Sequence, residues 1–323
     1  MESITFILGA GASIPYGYPS GPKLVELILD SLDMNYTPLY YYKSKKPGSS
    51  NYSLTAVNQA YTDYSLFVNY GYPSSLISEF GIALKNSDKD SIDSFLLERT
   101  EFYDIGKFAI ANCILKCEIP TEFEFVERNW LKYLWNKINV TRNHFANCKI
   151  SFITFNYDRV LEYYFYNSLK HSFNLNDKDI IEVLKTKPIL HLHGSIGNLP
   201  WQDQEKGFDY NFDGQNFQNH YSRVVKASEK IKIIYDKIDQ DPIFDYAAET
   251  INYSDKVYAL GFGFHSLNLN RLKIDILKVP IQCSAYHMTN HECAVIENRN
   301  PKKILLDRQD NDNLDFLRNH LAI

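Results

Sequence analysis

The sequence predicts an α/β protein, a doubly wound parallel sheet that carries a large, mainly helical insertion. Three observations predict it. The chain opens on a short apolar, β-branched run, Ile4-Thr5-Phe6-Ile7-Leu8, that breaks into the small-residue turn Gly9-Ala10-Gly11-Ala12-Ser13. Four later apolar runs each end in small or chemically capable residues. Between the first run and the second, residues 34–147 show helical spacing and few strand signals.

Taken in order, the opening run, its turn and an amphipathic segment from about Lys23 form a strand–turn–helix unit. That arrangement offers backbone N–H groups to a phosphate, and a Cβ at either glycine would block a pyrophosphate. Gly9-Ala10-Gly11 supplies the first two glycines of a dinucleotide fingerprint, but the third falls at Gly17 or is missing. An ordinary strand–turn–helix corner therefore remains open as an alternative. After a loop dense in Gly and Pro (15–22), Leu24, Leu27, Ile28 and Leu32 predict a helix over about 22–33.

Residues 34–75 are polar, tyrosine-rich and weakly periodic. The segment 43–50 reads as an exposed loop with solvated Lys43, Lys45 and Lys46, and the tyrosines of 36–72 as a surface or partner contact. Asp90-Ser91-Ile92-Asp93-Ser94-Phe95-Leu96 reads as a capped helix start, and helical patterns containing Trp130, Leu131, Leu134 and Trp135 continue to about Asn147.

Strand character returns over 149–155, followed by Asn156-Tyr157-Asp158 and a helix over 161–169. The next strand, 188–192, ends in His193-Gly194-Ser195. Residues 197–230 read as irregular and 230–238 as helical. The strand 255–260 ends in Gly261-Phe262-Gly263-Phe264-His265, and a last one over 279–288 ends at Thr289-Asn290. Ligands of an open parallel sheet bind at the carboxyl ends of its strands. Five strand ends thus point at one crevice. The expected organisation is a single domain, 1–323. Its Rossmann-like core spans about 1–33, 148–200 and 251–323, with insertions over about 34–147 and 201–250.

Composition narrows the function classes. A chain of 323 residues with 45% hydrophobic and 23% charged residues suits a globular protein with a substantial core. A net charge of −5 gives no footprint of direct nucleic-acid binding. No apolar run reaches the ~18 residues a membrane span needs, and no basic leader precedes the first strand, so a cytoplasmic protein is expected. Cys113, Cys117, Cys148, Cys283 and Cys293 contain one i, i+4 pair and no second pair, so they read as free thiols and no metal is expected.

The ordered set Gly-Ala-Gly-Ala-Ser, Thr-Phe-Asn-Tyr-Asp, Leu-His-Gly and Gly-Phe-Gly resembles the sirtuins, the silent-information-regulator family. It is most similar to the prokaryotic sirtuin-like NAD hydrolases of antiphage defence, and the Ser-Ile-Asp-Ser-Phe-Leu stretch is similar to the same branch. The resemblance covers residues 4 to about 290. It implies NAD as substrate, with Gly9, Ala10, Gly11, Ala12 and Ser13 at the pyrophosphate. It further implies Asn156 as catalytic asparagine, Asp158 on the nicotinamide amide, and His193 on the ribose hydroxyls as a base. Thr154, Phe155 and Gly194 flank these residues as binding positions. Gly261, Phe262 and Gly263 would form the turn beneath ribose and phosphates, and Asn290 would reach the adenosine ribose. Of the two histidines two apart, His191 is assigned a structural role because the family's glycine follows His193. His265 and Asn268 read as solvated loop.

The departures matter as much. Sirtuin deacylases carry two Cys-x-x-Cys pairs after the histidine, whereas this chain has no cysteine between His193 and Gly261. Ile14-Pro15-Tyr16-Gly17-Tyr18 stands where deacylases carry a Phe-Arg pair. Water as acceptor needs neither feature. The resemblance thus implies an NAD hydrolase releasing nicotinamide and ADP-ribose, the effector of an abortive-infection system. Homo-oligomerisation or a separately encoded sensor would control it, because the core leaves only about 30 residues of charged, helix-like tail. The rival expectations are a non-catalytic module sensing NAD or ADP-ribose, and a zinc-less deacylase.

Overall fold

The computed structural model describes residues 2–36, 39–45, 52–138, 142–233 and 241–322. The strands are β1 (Ser3–Leu8), β2 (Leu39–Lys45), β3 (Tyr52–Asn58), β4 (Lys149–Thr154), β5 (Ile189–His191), β6 (Lys256–Leu260), β7 (Ile281–Ser284) and β8 (Ile304–Asp307). Six of them form one sheet in the order β5-β4-β1-β6-β7-β8, and every pairing in it is parallel. The chain steps outward from β1 to β4 and β5, then returns to lay β6, β7 and β8 on the other side. This is the doubly wound, Rossmann-like order, and its direction reverses between β1 and β6.

The apolar runs are continuous because both faces of the sheet are covered. Ile4, Phe6 and Leu8 point into one core with Phe152 and Tyr258, while Ile7, Ile153, Val257 and Ala259 point into the other. Phe6 lies between the rings of Phe152 and Tyr258, 5.6 Å from each. Register sets the strand ends level: Leu8 pairs with Thr154 on one side and with Leu260 on the other. Gly9, Phe155 and Gly261, the residues that follow, therefore start their loops in one row.

The first insertion is mainly helical. Its centre is the helix Tyr103–Leu115, buried on nearly every face and packed against the helices Gly21–Ser31 and Phe217–Lys230. Gly21–Ser31 matches the predicted helix; its N-cap Ser20 accepts from the Lys23 amide, and Leu24, Ile28 and Ser31 face inward.

Several expectations are corrected. Residues 39–58 contain the antiparallel pair β2–β3, so Lys43 and Lys45 are strand residues, not loop residues; 46–51 lie outside the described residues. Tyr-rich strands favour such pairing whatever their polarity. Tyr61, Tyr64 and Tyr72 pack against the core and are not a free contact surface, although Tyr36 and Tyr70 are exposed. The segment 197–230, read as irregular, contains the helix Phe217–Lys230. Its inward stripe is His220, Val224, Ala227 and Ser228, small or polar residues that hide the period. The helix expected over 230–238 does not begin at 231–233, which are extended or irregular; 234–240 lie outside the described residues. The C-terminal tail is part of the core: it supplies β8 and the helix Asn313–His320, with Leu305 outward between inward Ile304 and Leu306. No helix among the described residues is long and apolar enough to cross a membrane.

Candidate functional site

At the reversal point two turns interlock. The Gly9 amide donates to Leu260 O and the Gly11 amide to Gly261 O, each at 3.1 Å. A Cβ on Gly9 would stand 2.4 Å from Gly261 O, and one on Gly11 2.7 Å from Gly261 Cα. Gly261 itself has φ +56°, and its Cβ would stand 2.2 Å from the Ala12 amide nitrogen. The glycines are therefore required by backbone-to-backbone packing. The turn also does not lead straight into a helix. Two short 3-10 turns, Ala10–Ala12 and Ile14–Tyr16, come first.

Side chains from distant segments hold this knot. Ser284 Oγ accepts from the Gly261 amide at 3.1 Å and donates to Asn313 Oδ1 at 3.2 Å. Asn313 Nδ2 donates to Gly11 O at 2.9 Å, and Trp130 Nε1 to Ala12 O at 2.8 Å. Above them opens a cavity of about 630 Å³, floored by Gly11, Gly261, Phe262, Gly263, Ser284 and Asn313. That volume suits a nucleotide-sized ligand. At its rim Arg128 is paired with Asp312 and Asp315.

The β4 end is built differently. Asn156 Nδ2 donates to Gly9 O and to Ser13 Oγ, both at 3.0 Å, and the Asn156 amide donates to Thr154 Oγ1. Ser13 Oγ donates to Asp158 Oδ2 at 2.7 Å, while Asp158 Oδ1 accepts from the Val160 amide at the start of the helix Val160–Phe173. Burial pushes the Asp158 carboxyl above the usual carboxylate range, against those two hydrogen bonds. The void these residues enclose is only about 10 Å³, at the lower limit for a single water.

The two histidines at the end of β5 differ. His191 is satisfied at both nitrogens, Nδ1 with Asn156 O at 2.9 Å and Nε2 with Glu162 Oε1 at 2.8 Å. Burial alone would lower its pKa, but Glu162 and the Asn156 carbonyl hold it above the ordinary value. His193 is 4% exposed, and its Nε2 has no hydrogen-bond partner among the described residues. Burial lowers its pKa; the negative charge of Asp93 opposes that shift and the positive charge of Arg271 adds to it. Its backbone is clamped: the Lys232 amide donates to His193 O, and Gly194, at φ +70°, leaves no room for a Cβ against Lys230 O. The Phe155 ring meets His193 edge-on at 5.3 Å and Phe262 at 5.1 Å, and Phe262 lines the large cavity. Phe262 and Phe155 thus form a chain of ring contacts from that cavity to the imidazole.

The fold brings Gly9–Ser13, Thr154–Asp158, His193–Gly194 and Gly261–Gly263 to one edge of the sheet. Asn290 does not stand at a strand end. β7 stops at Ser284, five residues of turn follow, and Asn290 is an exposed first residue of a helix capped by Thr289 and Glu292. His265 is exposed, as expected of a loop, whereas Asn268 Oδ1 is buried without a partner among the described residues. The sequence reading missed Ser284 and Asn313, which carry no local motif. It also missed Asp93, Tyr157 and Arg271 around His193, although Asp93 and Tyr157 lie within stretches singled out on other grounds. All five cysteines are free thiols, and no group of three or more His, Cys, Asp or Glu among the described residues is arranged to hold a metal ion.

Compared with known proteins, residues 150–314 match a family model described as SIR2-like domain. The match begins after the Gly9–Ser13 turn, which joins the matched half through its contacts with Asp158, Gly261 and Asn313. No curated protein matches the chain.

Proposed function

The chain belongs to the SIR2-like domain family, whose members are NAD-dependent enzymes, and from that premise we propose that it hydrolyses NAD to nicotinamide and ADP-ribose. The observation that carries this reading is His193 Nε2, a buried imidazole nitrogen without a partner among the described residues, at the strand edge where Asn156 and the glycine turns converge. A buried polar atom left unpaired costs about 1–3 kcal/mol, which a ribose hydroxyl or a water would offset. The neutral imidazole can take a proton.

In the reaction the bond from the ribose anomeric carbon to the pyridinium nitrogen breaks, and nicotinamide leaves with the electron pair. A water oxygen bonds to that carbon and gives up a proton, which His193 can accept. The transition state carries positive charge on the sugar, so holding the leaving group and the water in place supplies much of the rate. Asn156 and Asp158 would serve that positioning once the ligand replaces their present partners. The cavity over Gly11, Gly261 and Asn313 would take the adenosine diphosphate half. Gly263, where a Cβ would meet nothing within 4 Å, leaves that floor open.

Within this reading the protein is a cytoplasmic NAD-depleting effector of antiphage defence, kept silent until an oligomer or a sensor protein opens the site. The aromatic pair that links the cavity to His193 supports such control. The same pair, together with the occupied hydrogen bonds of Asn156 and Asp158, favours a second reading, a module that binds NAD or ADP-ribose without turnover. The test is nicotinamide release by the purified chain, by Asn156→Ala and by His193→Ala, and NAD content of infected cells carrying each with its neighbouring genes. Release lost in both variants supports the hydrolase. Persistent NAD under infection, with NAD still bound by the wild type, leaves the sensor.

A further inference from the structure

His193 is faced by two opposite charges. One, Arg271, ends the helix Ser266–Arg271 of the core. The other, Asp93, comes from the helical insertion, in the first turn of the helix Ile92–Glu98. Ser91 caps that helix, and Ile92, Phe95 and Leu96 on either side of Asp93 are fully buried, with Phe95 against Phe80 and Phe102. The carboxylate is thus carried on a rigid mount.

Between Asp93 and His193 stands Tyr157. Its hydroxyl donates to Asp93 Oδ1, and its ring lies 6.3 Å from the imidazole, tilted by 39°. Tyr157 is buried, and burial together with the Asp93 charge raises its pKa well above the ordinary phenol, so it remains a donor. Tyr157 also sits between Asn156 and Asp158 in the chain, so the contact with Asp93 fixes the strand-end turn that carries both.

We propose that Asp93, held by Tyr157, is a positioning residue supplied by the insertion, which stabilises the protonated form of His193 during turnover. The inference rests on the NAD-hydrolase reading for its use in catalysis. When a proton moves from water or a ribose hydroxyl to His193 Nε2, the new imidazolium lies in a buried site beside Arg271. Asp93 offsets that charge across the tyrosine. The insertion then completes the site electrostatically as well as walling it.

The test uses the full chain with labelled histidine, following the His193 imidazole by NMR, assigned by its loss in His193→Gln. In Asp93→Asn the His193 pKa falls by about 0.5 pH unit or more, and Asp93→Glu restores it. The acid limb of nicotinamide release moves the same way, and kcat drops by about tenfold or more with KM unchanged. An unchanged His193 titration in folded Asp93→Asn overturns the proposal. If that variant does not fold, Tyr157→Phe decides: a smaller fall in the same direction supports the pair, and no fall overturns it. Should the wild type release no nicotinamide, the hydrolase reading fails, while the titration still decides whether Asp93 acts on His193.

Discussion

The two halves of the strand-end crevice are built from different materials. On the β1–β6–β7 side a floor of glycines, Ser284 and Asn313 lies between larger walls such as Phe125, Phe264, Tyr286 and Met288, and about 630 Å³ stands open. On the β4–β5 side the groups are buried side chains, hydrogen-bonded to one another or, like His193, packed against the Phe155 ring. Open backbone surface suits binding, because N–H and C=O groups are placed by the fold and need no side-chain ordering. Buried side chains suit chemistry, because low solvation shifts Asp158 up and His193 down. Under the proposed hydrolase reading, the contrast separates holding from reacting.

The sharpest way to break that contrast is a methyl group. Gly261→Ala meets backbone at 2.2 Å and a left-handed φ, so a loss of about 2–6 kcal/mol in urea unfolding is expected. If its stability is unchanged, the interlocked turns are not as rigid as described.

On the β4–β5 side, His193→Ala is expected to lower nicotinamide release by about 10²–10⁴-fold while the unfolding midpoint stays within about 1 kcal/mol of wild type. A parallel collapse of stability would make His193 a structural group instead.

The contact between the two insertions, where helix Phe217–Lys230 packs on helix Tyr103–Leu115, is expected to be acid-sensitive. Burial pushes the His220 pKa down to about 3, and its Nε2 bonds Asn112 Oδ1 at 2.8 Å. The folded value lies below the unfolded one, near 6.5, so between the two the unfolded chain binds more protons. Stability therefore falls as pH drops from about 6.5 toward about 3, by up to about 1.4 kcal/mol per pH unit from this group. Unfolding midpoints across that window should show a flatter slope in His220→Gln than in wild type; an equal slope would remove His220 as the cause.

The smallest effect is expected two residues from the largest. Gly263 has open space where a Cβ would be and no left-handed φ, so Gly263→Ala should leave the melting point unchanged. The added methyl reaches into the cavity and should weaken NAD binding by a few-fold, about 1 kcal/mol, in calorimetry. Unaltered binding would move the ligand off this floor.

Much of this fold was legible because buried parallel strands are written as continuous apolar runs: Ile4 to Leu8, Ile150 to Ile153 and Val257 to Leu260 need no partner to be recognised. The strand ends were legible too, since Gly, Asn, Asp and His stand directly after those runs. Helix Phe217–Lys230 and β8 were hidden because their inward residues are few, small or polar, so periodicity was faint. The end of the strand over 279–288 was misplaced because its length was read from apolar content, whereas β7 ends where its pairing with β8 ends, at Ser284 and Asp307.

The sequence by itself determined the doubly wound sheet and the family, since burial along each strand is a local pattern. Only the tertiary structure decided which polar atoms meet: Gly11 with Asn313, Ser13 with Asp158, Tyr157 with Asp93. Those pairs join positions tens to hundreds of residues apart, and hydrogen bonding is a matter of distance and angle that one-dimensional spacing does not contain.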